Sequence, residues 1–500
     1  MAAKPAKPAK PEEKKPEEKK EEKSTPKDNL VESKHSVKIG GKVIKYTVTT
    51  GTMIVKEEVN DKEKNAEIEK PRAQMFFVAY TKDGVKDKGK RPITFSFNGG
   101  PGSSSVWLHM GVLGPRRVVL TDEGEMPPPP FKLTDNQYSI LDETDLVFID
   151  PMSTGYTRPV EGEKSAEWHT FSKDIASVGD FIRLYTTRYN RWLSPKFLAG
   201  ESYGTTRAAG LSGYLQNRHG MLLNGLLLIS AVLDFTTLDF NLNNDLPYIL
   251  FLPAYTATAW YHDKLNFKAP LQTAIKEAEE FAMGEYASAL LKGSSLTPEE
   301  RANIVEKLSR YTGISQEFIE RSNLRILDQH YFKELLRERG KTVGRLDSRF
   351  TGTDRIGVTS MPEYDPLFAQ VNGPYTAAFN DYIRTELKFE TDLPYEILSD
   401  KVWMNWSYGY FQNQYVNVAE TLRSSMTFNK YLKIFIANGY FDLGTPYFAT
   451  EYTLDHLGLD ESLRGNIRMA YYDAGHMMYV HMPSLKAMKT DMTKFIKDAS

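Results

Sequence analysis

The chain has 500 residues, 63 basic and 65 acidic side chains and a formal net charge of -2, which is length for two to four domains and too little positive charge for a dedicated nucleic-acid binder. It has no cysteine, which excludes disulfides, cysteine nucleophiles and thiolate metal sites. No apolar run is long enough to span a bilayer, and no apolar signal region follows the first residues.

Residues 1–34 are mostly Lys, Glu, Pro and Ala. Such a stretch buries too little surface to offset the entropy of ordering it, and it reads as a disordered tail. Order is expected from His35. Ser36–Ile39 and Lys42–Tyr46 alternate around Gly40-Gly41, a hairpin signal. Further strands are expected at Gln74–Tyr80, Pro92–Phe97, Leu146–Ile149, Phe197–Ala199 and Leu226–Ile229, with a helix over Ser172–Tyr189. A helix follows at Thr206–Leu215. Apolar strands alternating with helices argue for an α/β fold with a largely parallel mixed sheet flanked by helices.

That rhythm stops over residues 236–426, which read as a mainly helical insertion. Helices are expected at Pro270–Leu291, Thr297–Tyr311, Gln316–Ser322 and Tyr331–Arg339, with loops at Gly344–Gly352 and Pro362–Pro374. The rhythm resumes over 427–500, with strands at Leu432–Ala437 and Ile467–Tyr472 and helices at Pro446–Leu457 and Leu485–Ile496. The two flanking segments, 35–235 and 427–500, form one core interrupted by the insertion.

Gly200-Glu201-Ser202-Tyr203-Gly204 fits G-x-S-x-G, a serine on a tight strand-to-helix turn. Five residues match by chance too readily to decide alone. A serine hydroxyl also needs a base, and the base needs an orienting acid. In open-sheet hydrolases these follow in the order Ser, Asp or Glu, His. Asp442 follows one late strand and His476 the next. Singly, each reads as a turn former; together and in this order, Ser202, Asp442 and His476 read as a catalytic triad. His481 is a weaker base, further from its strand. His109, His169 and His456 read as surface or satisfied core residues. Oxyanion donors are expected from the glycine block Asn98-Gly99-Gly100-Pro101-Gly102, where the second donor of this fold arises. Gly100 N–H and Tyr203 N–H are the pair. No metal site and no cofactor fingerprint stands out.

With these blocks in hand, the chain resembles the serine carboxypeptidase family. The match is carried by Phe97–Ser104, Gly114-Pro115, Leu146–Asp150 with Thr154-Gly155-Tyr156, Gly200–Gly204, Asn438-Gly439 up to Asp442, and Ala474–Met477. The resemblance implies an α/β-hydrolase fold with a helical insertion as cap, and release of single C-terminal residues from peptides with a free C-terminus. It also implies that Asn98 and Glu201 hold the substrate's terminal carboxylate, with Gly99 and Met477 among the substrate-binding residues. A glutamate donates to a carboxylate only while protonated. Two departures stand out: Ser96 replaces a frequent tryptophan, and Val112 stands where a second glutamate is usual, which implies a milder preference for acid. Arg116 or Arg117, with Arg207 a lesser candidate, is a hypothetical bidentate partner of the carboxylate; a solvent-facing arginine or a structural ion pair is the weightier reading of both. The absence of cysteine resembles a bacterial branch. The resemblance implies a periplasmic or secreted protein once an export signal is removed; the chain as written shows none. No nucleic-acid partner is expected, and oligomeric state is not legible. Competing readings are a proline iminopeptidase-like aminopeptidase, an acyltransferase on the same scaffold, and a non-catalytic binding protein.

Overall fold

The computed structural model describes residues 26–61 and 66–500; the expected tail lies mostly outside the described residues. Order begins earlier than composition suggests. Asn29–Ile39 is strand β1, which pairs antiparallel with β2 (Lys42–Asp61) from Asn29 opposite Thr52 to Ile39 opposite Lys42. Gly40 and Gly41 make the connection with φ of 53° and 81°, the left-handed pair that a two-residue hairpin needs. A charged edge strand with Lys and Glu on its open face (Glu32, Lys34, Lys38) resembles a tail in composition, because its pairing partner carries the apolar residues.

β2 pairs with β3 (Ala66–Lys82), and β3 joins the main sheet antiparallel through β5 (Asp145–Ile149). From there the sheet is parallel: β5, β4 (Ile93–Phe97), β6 (Lys196–Ser202), β7 (Gly225–Ala231), β8 (Lys433–Gly439) and β9 (Ile467–Tyr472). The fold is an α/β-hydrolase fold. The chain leaves β4 for β5 on one side and then crosses to β6 on the other. The carboxyl ends of β4 and β6 therefore flank a topological switch point, where open α/β sheets bind their ligands.

The strands are buried on both faces. Phe197, Ala199, Leu227 and Phe435 enter one apolar layer, and Leu198, Leu226, Leu228 and Ile434 the other. This is why these strands read as continuous apolar runs. Helix α1 (Phe171–Arg188) and helix α2 (Tyr203–His219) cover the second layer, contributing Val178 and Leu211.

The stretch 236–426 does not pack as one body. Its first part, including α3 (Leu246–Tyr261) and α4 (Pro298–Thr312), has its own core around Tyr255, Leu308 and Tyr331. Helix α4 starts with a capping box between Thr297 and Glu300. The second part returns to the sheet. Helix α5 (Pro366–Thr385) lays Leu367, Val371, Tyr375 and Phe379 on the first layer, and Ala419–Phe428 adds Leu422 and Met426 to the second. The loop expected at Pro362–Pro374 is largely this helix. Pro366 takes the first turn, where no amide is needed, and Pro374 is tolerated inside because the apolar face pins both halves to the core.

Asp145 opens β5 as a buried hub. It accepts from Arg91 Nε (3.1 Å), Arg191 Nη1 (2.6 Å) and the Lys82 amide (3.0 Å). Asp145→Ala leaves two buried guanidinium groups without their anion. The expected loss is about 3–5 kcal/mol, read as a lower denaturant midpoint at unchanged slope.

Candidate active site

The chemistry-bearing residues all sit at the carboxyl ends of parallel strands. Asn98 follows β4, Ser202 ends β6, Asp442 follows β8 and His476 follows β9. Ser202 has φ 57° and ψ -130°, a strained conformation for a non-glycine residue, as a nucleophile turn requires. Glycine flanks it for contact reasons. A methyl group on Gly200 would lie 2.2 Å from the Gly204 carbonyl oxygen, and one on Gly204 3.0 Å from that of Phe97.

Asp442 is fully buried. Its Oδ1 accepts from the amides of Gly444 (2.7 Å) and Thr445 (3.0 Å), and its Oδ2 from Thr445 Oγ1 (2.8 Å). His476 Nδ1 lies 2.8 Å from the same Oδ2, which orients the ring and leaves Nε2 free. Burial disfavours the imidazolium, but the Asp442 charge and hydrogen bond outweigh it, and His476 is raised above the ordinary histidine value. Ser202 and His476 line one cavity of about 350 Å³, together with Asn98, Gly99, Gly100 and Met477. Tyr203 opens α2 with its side chain turned into the core. Its amide abuts Gly99, where a methyl group would lie 2.6 Å from it. The helix N-terminus thus offers unpaired amides and a partial positive charge beside the serine.

His481 bonds Ser484 (2.8 Å) and is not on the cavity wall. His109 is a satisfied core residue, held by Tyr80 OH at 2.6 Å and lowered to about 3 by burial.

A sequence profile of the serine carboxypeptidase family matches residues 65–484. The chain belongs to the serine carboxypeptidase family. The pheromone-processing carboxypeptidase KEX1 of Saccharomyces cerevisiae strain JAY291 is 30% identical over 160 residues, which is 31% of this chain and 20% of that protein. The chain thus spans about a fifth of the length of the curated relatives it matches. The crystal structure of a prohormone-processing carboxypeptidase from the same organism superposes over 91% of this chain and 92% of that one, with a TM-score of 0.56 and 16% identity. That likeness is one of fold.

In this serine carboxypeptidase-family chain, Glu201 is buried beside the serine. Its Oε1 accepts from Asn98 Nδ2 (3.1 Å), and Asn98 Oδ1 accepts from the Leu108 amide (3.1 Å). Burial pushes the Glu201 carboxyl up to about 7; the His476 charge and the Asn98 bond temper this, while Asp442 adds to it. Two tyrosines surround the carboxyl. Tyr479 faces Glu201, outside hydrogen-bond geometry, and Tyr375 lies close behind. Gly111 makes room for both, since a methyl group there would lie 2.4 Å from the Tyr479 ring and 2.7 Å from Tyr375 OH. Glu201 Oε2 has no partner.

The arginines weighed as partners of a substrate carboxylate are placed elsewhere. Arg116 is paired with Asp135 (2.6 Å) and Glu386 (2.5 Å). Arg117 reaches the Val118 carbonyl (3.5 Å), and neither arginine is on the cavity wall. Arg207 is buried: its Nε donates to Asp174 (2.8 Å), its Nη1 to the Asn98 carbonyl, and Tyr203 OH shares Asp174 (3.0 Å). It props the Asn98 turn from below. Asp150 does the same further along, accepting from Ser105 N and Oγ (both 2.9 Å).

The loop expected at Gly344–Gly352 connects Thr342–Val343 to Thr351–Gly352, which pair as a short hairpin, and its part in the site was not expected. It stitches the acid and base loops together. Leu443 N donates to Arg345 O (3.0 Å), His476 N to Leu346 O (2.6 Å), Ser348 N to Phe441 O (3.0 Å) and Gly475 N to Asp347 Oδ2 (2.9 Å). Arg349 locks Asp347 with Nη2 at 2.7 Å. The one sequence signal was a charged run, Arg345–Arg349, between two glycines in an otherwise helical region. A methyl group on Gly475 would lie 2.4 Å from Leu346 O and 2.5 Å from Asp347 Cα. Gly475→Ala therefore has to displace the His476 turn. The expected result is a fall in kcat/KM of ~100-fold, as for a misplaced catalytic group, with the circular dichroism spectrum unchanged and the Tm lowered, because the clash is with backbone and costs about 1–3 kcal/mol.

Proposed function

We propose that this chain is a serine-type carboxypeptidase that removes single residues from the free C-terminus of peptides. Ser202 Oγ attacks the last peptide carbonyl carbon while His476 Nε2 takes its proton. The C–N bond breaks as His476 returns that proton to the leaving amine. Water then attacks the acyl-enzyme, gives a proton to His476, and the peptide acid leaves as Ser202 regains its hydrogen. Asp442 keeps the imidazole oriented and stabilises its charge. The amides of Gly100 and Tyr203 hold the oxyanion. Asn98 and Glu201 take the terminal carboxylate, with Gly99 and Met477 bordering the same space. We infer a periplasmic or secreted location once an export signal is removed, a reading the family resemblance supports.

One observation carries the reading. A buried glutamate with one oxygen bonded to Asn98 and the other unpartnered stands next to the serine. A carboxyl raised to about 7 can donate to a carboxylate at neutral and lower pH, and nothing in simple ester hydrolysis calls for it. Mass spectrometry of a peptide digest is the test. Trimming from the C-terminus is expected, with most activity lost on the C-terminal amide of the same peptide. Equal turnover of acid and amide, or trimming from the N-terminus, overturns the reading. Ser202→Ala is expected to lose at least ~1,000-fold in kcat.

The pH dependence follows from two groups. The His476 base must be neutral, so kcat falls as pH drops through its raised value. Glu201 must be protonated, so KM is low below about 7 and rises above it. The kcat/KM profile is expected to be a narrow bell near neutrality. Glu201→Gln should flatten the alkaline rise in KM, because an amide stays a donor at every pH.

A further inference from the structure

Arg345 stands on the wall of the cavity that holds Ser202 and His476. Its main chain is pinned on both sides: the amide donates to Asp365 Oδ2 (2.8 Å) and the carbonyl accepts from Leu443 N (3.0 Å). The guanidinium reaches over Gly444, where a methyl group would lie 3.4 Å from its Cζ. That puts it on the Asp442–His476 side of the cavity, and its charge acts on His476.

The guanidinium has no ion pair and no hydrogen bond among the described residues. The carboxylates near it are already engaged. Asp442 serves two amides, Thr445 and His476. Asp365 caps α5 at the Phe368 amide and accepts from Arg345 and Leu346 amides. Asp328 is largely buried and bonds the Gln329 amide. The other arginines around the site, Arg207 and Arg349, have their own aspartates. Much of the remaining wall is apolar, with Trp107, Leu346, Phe368, Leu398 and Trp403. Arg345 is itself exposed, so its guanidinium is open to a bound substrate, and its planar fork suits a carboxylate.

Under the proposed function the terminal carboxylate is taken by Asn98 and Glu201, so Arg345 is left for a second one. We propose that Arg345 is a specificity-determining residue that selects peptides with an aspartate or glutamate side chain next to the scissile bond. The inference rests on the carboxypeptidase reading and names the substrate class of that same site.

N-acylated dipeptides with Glu, Gln or Lys in the last or the penultimate position, all with free C-termini, test it. The intact protein should prefer Glu over Gln by about 10- to 100-fold in kcat/KM at one of the two positions, as a charge-assisted hydrogen-bonded pair supplies. Arg345→Gln should remove that preference while leaving the Gln peptide nearly unchanged, and Arg345→Glu should invert it toward Lys. The side chain makes no contact that folding needs, so Tm should stay within a degree or two. A loss shared equally by the Glu, Gln and Lys peptides in Arg345→Gln assigns the residue to the terminal carboxylate and overturns the proposal. Equal turnover of Glu and Gln peptides by the intact protein overturns it too, with the carboxypeptidase reading left standing. Failure of the intact protein to trim any of these peptides overturns both.

Discussion

The pairing of His476 N with Leu346 O, and of Gly475 N with the Asp347 carboxylate, is the contact on which the rest of the site depends. A histidine on a loop after an edge strand has no intrinsic reason to hold still. β9 is the last strand of the sheet and has a neighbour on one side only. The His476 turn is fixed from three sides: Ser230 Oγ at the end of β7 donates to the His476 carbonyl (2.7 Å), Phe441 N donates to Ala474 O (3.1 Å), and a loop from the helical insertion supplies the Leu346 carbonyl and the Asp347 carboxylate. The same loop holds the acid turn through Leu443 and Phe441. Asp442 and His476 thus keep their 2.8 Å contact because their turns are bonded to each other, to β7 through Ser230 and to the insertion loop together.

Buried charge follows one rule in most of the molecule and departs from it at the site. Asp145 has two arginines, Asp174 has Arg207, and Asp347 has Arg349. A buried ion left without its partner is costly, so these pairs are held as units. One group breaks the pattern: Glu201 is buried with one oxygen outside any hydrogen bond among the described residues. Local rules are usually broken where function requires it. The raised value of Glu201 is the physical form of that departure: burial makes neutrality the cheaper state for its carboxyl, although the His476 charge, the nearby Tyr479 hydroxyl and the Asn98 amide favour the charged form.

Much of this was legible in the sequence, and for identifiable reasons. The parallel strands appear as short apolar runs because both faces are covered, and the serine turn is marked by glycines that contact leaves no choice about. The order Ser202, Asp442, His476 is a property of chain topology, so it survives in one dimension. What escaped is long-range or non-local. β1 is charged because its apolar complement is on β2. The Pro366–Thr385 helix contains proline and glycine that local propensity counts as breakers, while the core contacts of Tyr375 and Phe379 override them. Arg116 and Arg117 follow the Gly-Pro pair but point to Asp135, Glu386 and a backbone carbonyl. No spacing rule links residue 345 to residue 476, so the charged run that contains the cavity-lining arginine did not point to the site.

The insertion therefore does more than cover the sheet. Residues 342–352 support the base turn, support the acid turn and carry the unpaired guanidinium. Their anchor is the insertion's own core, in which Leu443 from the acid turn is itself buried. Substrate selection and orientation of the base thus share one mechanical support. A change in the helices behind this loop that moves Arg345 also moves the carbonyl of Leu346, and with it His476. Specificity in such a molecule is tuned with least damage by exchanging the side chain at 345, whose guanidinium makes no ion pair or hydrogen bond among the described residues, and with most damage by shifting the backbone on which it stands.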